Sequence, residues 1–253
     1  MRAADRTKDT PLKNEIMGSH ETKIRELERL NQEILSCMQC PRLINYIRYV
    51  SKKKTKRFAK WVYWGRPLHG FGDPDAWLII IGLAPAAHGG NRTGRMFTGD
   101  SSGDWLIRAL YEVGIANQPY SISRDDGLTL NGAYITAAVR CAPPKNRPLS
   151  GEIRNCLRYL IQEFRILRNA KVYLALGKIA FNSTIWALEE AFGIEIRPRP
   201  KFRHHARYFI EDINKWLYVS YHPSRQNTQT GRLSWDMWIE VFKDVCKNFV
   251  EKQ

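Results

Sequence analysis

Four short runs, WLIII (77–81), AYITAAV (133–139), KVYLAL (171–176) and WLYVSY (216–221), are apolar on successive rather than alternate positions and rich in β-branched and aromatic residues. Strands of this kind are buried on both faces, the condition of parallel strands in a sheet covered by helices. The stretches between them supply the helices. DWLIRALYEVG puts Leu106, Ala109, Leu110 and Val113 on one face with Gly114 as a stop, and GEIRNCLRYLIQEFRILRN and AFNSTIWALEEAFG read likewise. The alternation predicts an α/β chain built from βαβ crossovers. At 253 residues, one domain over 21–253 is expected, and the polar, non-periodic residues 1–20 read as a disordered tail. An amphipathic helix beginning near Glu21, with Ile24, Leu27, Ile34 and Leu35 at helical spacing, leads into CMQCPR.

In an open parallel sheet, ligands bind outside the carboxyl ends of the strands. Each run passes there into a polar loop: GLAPAAHGGN, RCAPPKNRP, GKIAFNS and HPSRQNTQTGR. The first continues as RTGRMFTGDSSGDWL. It has neither the closing Gly-Lys-Ser/Thr of a phosphate-cradling loop nor GxGxxG, so a nucleotide phosphate is unsupported. Its glycines permit close backbone approach to a flat ligand. Asp100 stands just before a helix, where a capping carboxylate is common.

Forty Lys and Arg against twenty-five Asp and Glu leave a net charge of +15 and a pI near 9.7. A polyanionic partner fits that balance, nucleic acid ahead of an anionic membrane. The stretch RYVSKKKTKRFAKWVYWGRPLHGFGDP interleaves cations with Tyr49, Trp61, Tyr63 and Trp64, which suits a nucleic-acid surface but equally a solvated lysine face over core aromatics. The longest apolar run, at 76–87, is interrupted by Gly82 and Pro85 and is too short for a bilayer. Without an apolar signal core at the N-terminus, the chain reads as soluble and cytoplasmic.

Five cysteines are present: Cys37, Cys40, Cys141, Cys156 and Cys246. In a chain with no export signal, metal binding is the better inference than a disulfide framework. The CxxC pair Cys37 and Cys40 with the looser pair Cys141 and Cys156 is open to zinc or to an iron–sulfur cluster, and spacing leaves the two near even. Cys156 alone also reads as a core cysteine, and Cys246, far along a terminal helix, as structural.

The stretches GLAPAAHGGNRTGRMFTGDSSG, YITAAVRCAPPKNRP and HPSRQNTQTGRL, with Cys37, Cys40, Cys141 and Cys156, resemble those of the family 5 (B-type) uracil-DNA glycosylases. The resemblance covers most of the chain from Cys37 onward. It implies a three-layer α/β/α sandwich around a four-stranded, mostly parallel sheet. It also implies a structural [4Fe-4S] cluster on those four cysteines, and hydrolysis of the N-glycosidic bond of uracil in DNA by a prokaryotic, nucleoid-associated monomer. The segments at 52–72 and PRPKFRHHARYF carry little of it and read as variable connections.

The same resemblance suggests roles. Phe97 would stack on a flipped base whose carbonyls meet the loop containing Gly82, Ala84, Ala86 and Ala87, with His88 as a helper. His222 would donate to the carbonyl where negative charge develops. Related families orient water with an Asp or Asn near Ala86 and Ala87. Here those positions are alanine, so Asp100 is expected to support the sugar cation or position water, with Asn146 as a second polar contact. Arg225, Gln226 and Asn227 would enter the duplex and Arg232 would meet phosphate. Ala137, where strict uracil enzymes carry an asparagine, implies loose selectivity extending to hypoxanthine. A non-catalytic cluster- or zinc-containing nucleic-acid binding protein is the alternative that charge and cysteines alone also permit.

Overall fold

A computed structural model of the chain describes residues 10–249, with side chains from His20 onward. Four strands, β2 (Leu78–Gly82), β3 (Ala133–Ala137), β4 (Val172–Leu176) and β6 (Lys215–Ser220), lie parallel in the order β3-β2-β4-β6. These are the four runs expected from sequence. Two short antiparallel edges extend them to six among the described residues: β1 (Phe71–Gly72) on β3, and β5 (Arg207–Ile210) on β6. Neither edge strand had a readable signal, since β1 has two residues and β5 is largely exposed.

The continuous apolar runs have a simple cause. Successive side chains point to opposite faces, and both faces are covered. Leu78, Ile80, Ile135, Ala137, Leu174 and Tyr218 meet α4 (Ser101–Glu112) and α8 (Trp235–Phe249) in one core. Ile79, Ile81, Tyr134, Tyr173, Ala175, Leu217 and Val219 meet α5 (Ser150–Ile166) and α6 (Lys178–Phe192) in the other. The result is the expected three-layer α/β/α arrangement. Ile79, Ile80 and Ile81 are all fully buried, each stabilising the fold by roughly 1.5–3 kcal/mol through removal from water.

The first helix, α1 (Thr10–Leu35), packs on α5 through Leu30, Ile34 and Tyr159. It begins eleven residues before Glu21, inside the stretch read as a tail; residues 1–9 lie outside the described residues. A helix nucleated by buried residues extends cheaply through Leu, Lys, Glu and Met, which have good helix propensity. The turn carrying Cys37 and Cys40 joins α1 to α2 (Pro41–Lys53), whose proline stands where a missing N–H costs nothing. No described helix is long and apolar enough to cross a membrane.

The chain leaves β2 for β3 on one side, then crosses back to β4 on the other. Order reverses between β2 and β4, so a crevice opens at their carboxyl ends. The loops after β2, β4 and β6 converge there.

Candidate active site at the carboxyl ends of the strands

Asp100 is the N-cap of α4: its Oδ1 accepts the amides of Ser102 at 3.0 Å and Gly103 at 3.1 Å. Its Oδ2 accepts no hydrogen bond from a described residue and lies against the Cα of Gly89, where any Cβ would collide with it. Burial raises the carboxyl above the usual Asp range, against the opposing pull of the two amides and of Arg92. One oxygen thus holds the helix while the other has no hydrogen-bond partner among the described residues. The capping function expected as the simple reading of Asp100 is real, and it uses half of the group.

Phe97 occupies the left-handed region at φ 48°, and its ring covers the end of β2. A Cβ on Gly82 would stand 2.7 Å from that ring, which explains glycine at the strand end. The ring also stands beside His222, centroids 6.0 Å apart. Between Gly82 and His88, the amides of Ala84, Ala86, Ala87 and His88 donate to no acceptor among the described residues. These residues are partly exposed, so the amides are free to meet solvent or a ligand.

His222 follows β6 in a loop that is tied down on three sides. Asn227 Nδ2 donates to its carbonyl at 2.8 Å, Ser102 Oγ donates to the Pro223 carbonyl at 3.1 Å, and Gly177 after β4 lies so close that a Cβ there would stand 3.3 Å from the Cβ of His222. Neither imidazole nitrogen is bonded to a described residue. Burial lowers the imidazole to about 4, so it is neutral near pH 7 and can donate one N–H without carrying charge. Tyr221 before it stacks on His204 at 5.0 Å, and its amide bonds His204 Nδ1 at 3.2 Å. The PRPKFRHHARYF segment, read as a variable connection, therefore supports the loop.

The structure adds residues that sequence reasoning passed over. Arg92 is buried; its Nε donates to the His88 carbonyl at 2.7 Å and its Nη2 to the Gly99 carbonyl at 2.9 Å. It thereby fixes both flanks of the loop carrying Phe97. Its guanidinium lies between the rings of Phe58 and Trp61, at 4.0 and 4.1 Å, a desolvated cation–π arrangement. Tyr63 Oη meets His88 Nδ1 at 3.0 Å. The signal for these contacts was the aromatic spacing of 58–64, which only the fold could connect to Arg92.

The remaining expected residues divide. Ala137 is buried and registers with Gly82, so it shares the face on which Phe97 packs. Ala84 and Ala87 touch the cysteine-bearing cluster. Asn146 is exposed on the turn Pro144–Asn146 and bonds neither Asp100 nor His222. Arg225 and Gln226 are exposed at the start of α7 (Arg225–Gln229). Asn227 engages its amide with His222 rather than presenting it to solvent. Arg232 lies over the Tyr221 ring at 4.6 Å.

Cys37 and Cys40 from the α1–α2 turn, Cys141 after β3 and Cys156 on α5 come together, all as free thiols. Cys40, Cys141 and Cys156 share a nest with Leu43, Ile44, Ile47 and Val139. Burial first, then the neighbouring Cys156, Cys37 and Cys40, push the Cys141 thiol far up; burial raises Cys156 to about 11. Asn155 Nδ2 points at Cys40 Sγ at 3.5 Å. Among the described residues no three His, Cys, Asp or Glu side chains are drawn around a single point as ligands of one metal ion. Cys246 packs against the α4–α8 core, as its structural reading expects.

A model of the uracil DNA glycosylase superfamily matches residues 69–246. A type-5 uracil-DNA glycosylase of Thermus thermophilus is 47% identical over 217 residues, which cover 86% of this chain and 95% of the relative. One from Pyrobaculum aerophilum is 43% identical over 210 residues, 83% of this chain and 88% of the relative. A type-4 uracil-DNA glycosylase of the same organism is 30% identical over 156 residues, 61% and 62% of the two chains.

Proposed function

This chain belongs to the type-5 uracil-DNA glycosylases of the uracil DNA glycosylase superfamily, and on that premise we propose that it hydrolyses the N-glycosidic bond of uracil in DNA. The observation that carries the reading is the open arrangement at the strand ends. A carboxylate oxygen without a donor, a neutral imidazole without a partner beside an aromatic ring, and loop amides without protein acceptors all lie on the loops at the strand ends.

The chemistry follows from where charge develops. The base leaves the duplex stack at a cost of a few kcal/mol, smallest when it is mispaired. Phe97 supplies a face for it, and the amides of Ala84, Ala86 and Ala87 supply donors for its carbonyls. As the bond from C1′ to the base breaks, its electron pair goes to the pyrimidine and the sugar becomes cationic. His222 donates to the carbonyl that gains negative charge, a preorganised contact that costs no reorganisation. Asp100 Oδ2 faces the opposite charge, supporting the sugar cation or holding the water that adds to C1′. That water's proton passes to solvent, and uracil and an abasic site remain. His88, held by Tyr63, helps fix the loop. Asn146 is assigned as a second polar contact to substrate from its exposed turn, Arg225 and Gln226 as contacts to the duplex, and Arg232 as a phosphate contact. The +15 charge supplies attraction to the DNA backbone, and with it association with the nucleoid.

The donor set fits an iron–sulfur cluster. Zinc gathers four ligands at about 2.3 Å around one point, whereas a [4Fe-4S] cluster gives each thiolate its own iron and takes a wider frame. Cys37, Cys40, Cys141 and Cys156 would hold it, and it would tie α1, α2, β3 and α5 together beneath the Ala84 and Ala87 loop, a structural contribution. Protein isolated anaerobically is expected to carry about four irons and lose them in Cys141→Ala but keep them in Cys246→Ala; stoichiometric zinc without iron would reject the cluster.

The test of activity is a labelled duplex with one U·G pair. Release of uracil leaving an alkali-sensitive abasic site is expected. Tight binding with no release under single-turnover conditions would favour the non-catalytic binding protein.

A further inference from the structure

Between Glu33 and Asp73 the chain carries no Asp or Glu and nine Lys or Arg residues. Of these, only Arg42 forms an ion pair with a described carboxylate, Glu152. The cations cluster on the end of α2 and on the irregular segment that follows it to Arg66. Such a charge run is ordinarily a solvated face, but this one is built onto the active site. Phe58 and Trp61 clamp Arg92, Tyr63 bonds His88, and the amides of Trp64 and Gly65 bond the carbonyls of Arg92 and Asn91, both at 3.1 Å. Arg57 also stands close enough to Asp104, in the first turn of α4, to stabilise its charge, as does Arg225 of α7. Two basic elements far apart in sequence therefore meet on one rim.

Within this segment burial alternates from Trp61 to Tyr63. Trp61 and Tyr63 turn inward onto Arg92 and His88, and Val62 between them turns outward, 90% exposed. An isolated exposed valine is ordinary. This one is held outward by two anchors that contact Arg92 and His88, on the loop that carries Phe97. The tip of α7 offers no apolar side chain, since Arg225 and Gln226 are polar and Asn227 is engaged with His222. Side chains that enter a duplex and unstack it are characteristically apolar.

We infer that residues 52–66 form a second DNA-contacting arm, its exposed lysines on backbone phosphates and Val62 entering the base stack beside the flipped nucleotide. The valine role rests on the glycosylase reading. The lysine role does not, because phosphate contact is measured on undamaged DNA.

Two measurements test the arm. Lys52→Ser/Lys56→Ser/Lys60→Ser, on three exposed lysines, should weaken binding to an undamaged duplex. The slope of log affinity against log salt should become shallower by roughly 2 to 3, about 0.9 for each phosphate that is no longer neutralised. An unchanged slope, or an equal change in a control with the exposed Lys171, Lys243 and Lys247 replaced, overturns the lysine role. Val62→Ser should lower the ratio of single-turnover uracil release from duplex over single-stranded DNA by about tenfold, because only the duplex must be unstacked. Val62→Leu should restore it. A ratio unchanged in Val62→Ser overturns the wedge. Absence of uracil release by the native protein counts instead against the glycosylase reading and leaves the binding test standing.

Discussion

Two carboxylates near the sheet are treated in opposite ways. Glu163, fully buried, accepts Arg140 Nη1 at 3.0 Å and Nη2 at 2.6 Å, Thr136 Oγ1 at 2.6 Å, and Tyr134 Oη at 3.4 Å. Both of its oxygens are engaged. Asp100 engages one oxygen with a helix end and leaves the other, packed against Gly89, without a donor among the described residues. Glu163 is paired through both oxygens, since a charge left alone in the interior costs several kcal/mol. Asp100 is held in place through one oxygen only, as the catalytic role proposed for it requires.

The comparison is broken most severely at its closed member. Glu163→Gln would leave Arg140 buried without a countercharge and should destabilise the fold by about 3–5 kcal/mol, read from denaturant unfolding. Cleavage per folded molecule should be retained. A variant of native stability would mean that the pair is not the scaffold its geometry indicates.

At the open member the order reverses. Asp100→Asn keeps a good N-cap residue and removes only the charge. Because burial raises the folded carboxyl above its unfolded value, its ionised form disfavours the fold at pH above the ordinary carboxylate range. The variant should therefore melt at the same temperature or higher, while single-turnover cleavage falls by about a hundred- to ten-thousandfold. Native cleavage with early melting would reduce Asp100 to its capping role.

His222 sharpens the same contrast through pH. Its folded value near 4 lies below the unfolded value of about 6.5, so the unfolded chain takes up a proton that the fold refuses. Stability should fall as pH drops from about 6.5 to about 4, by at most about 3 kcal/mol from this group. His222→Gln should remove that part of the slope. Equal slopes in the two proteins would show that His222 is solvated and titrates normally.

Much of this was legible in the sequence because burial on both faces writes itself into every strand position. The runs at 77–81, 133–139, 171–176 and 216–221 could be read as parallel strands, and topology then sent their loops to one crevice. Asp100, Phe97 and His222 were legible as loop residues at those ends. Arg92 was not, because its partners Phe58 and Trp61 sit on an arm whose spacing carries no register. Arg140 and Glu163 are 23 residues apart and pair only across the fold. The N-terminal helix start was hidden by weak patterning before Glu21. Asn146 stands on an exposed turn, a placement that its sequence neighbours could not give.

The smallest expected effect concerns breadth rather than rate. Ala137 ends β3 in register with Gly82, on the face that Phe97 covers, and in the proposed reading its methyl group belongs to the floor beneath the base. A methyl group can neither donate nor accept. A floor that carried an amide would reject any base unable to pair with it, because the buried amide would be left unsatisfied at about 1–3 kcal/mol. The native floor imposes no such cost, so release of uracil from U·G and U·A should be accompanied by measurable release of hypoxanthine. Thymine should be held back mainly by its methyl group against the ring. Ala137→Asn introduces the missing amide and should narrow the ratio of hypoxanthine to uracil release by about tenfold, at little cost to uracil itself. Substrate profiles measured under single-turnover conditions decide it. If the profile is the same in both proteins, selectivity is set elsewhere, and the stretch of loop amides at Ala84, Ala86 and Ala87 becomes the place to look, since those donors meet any carbonyl placed before them.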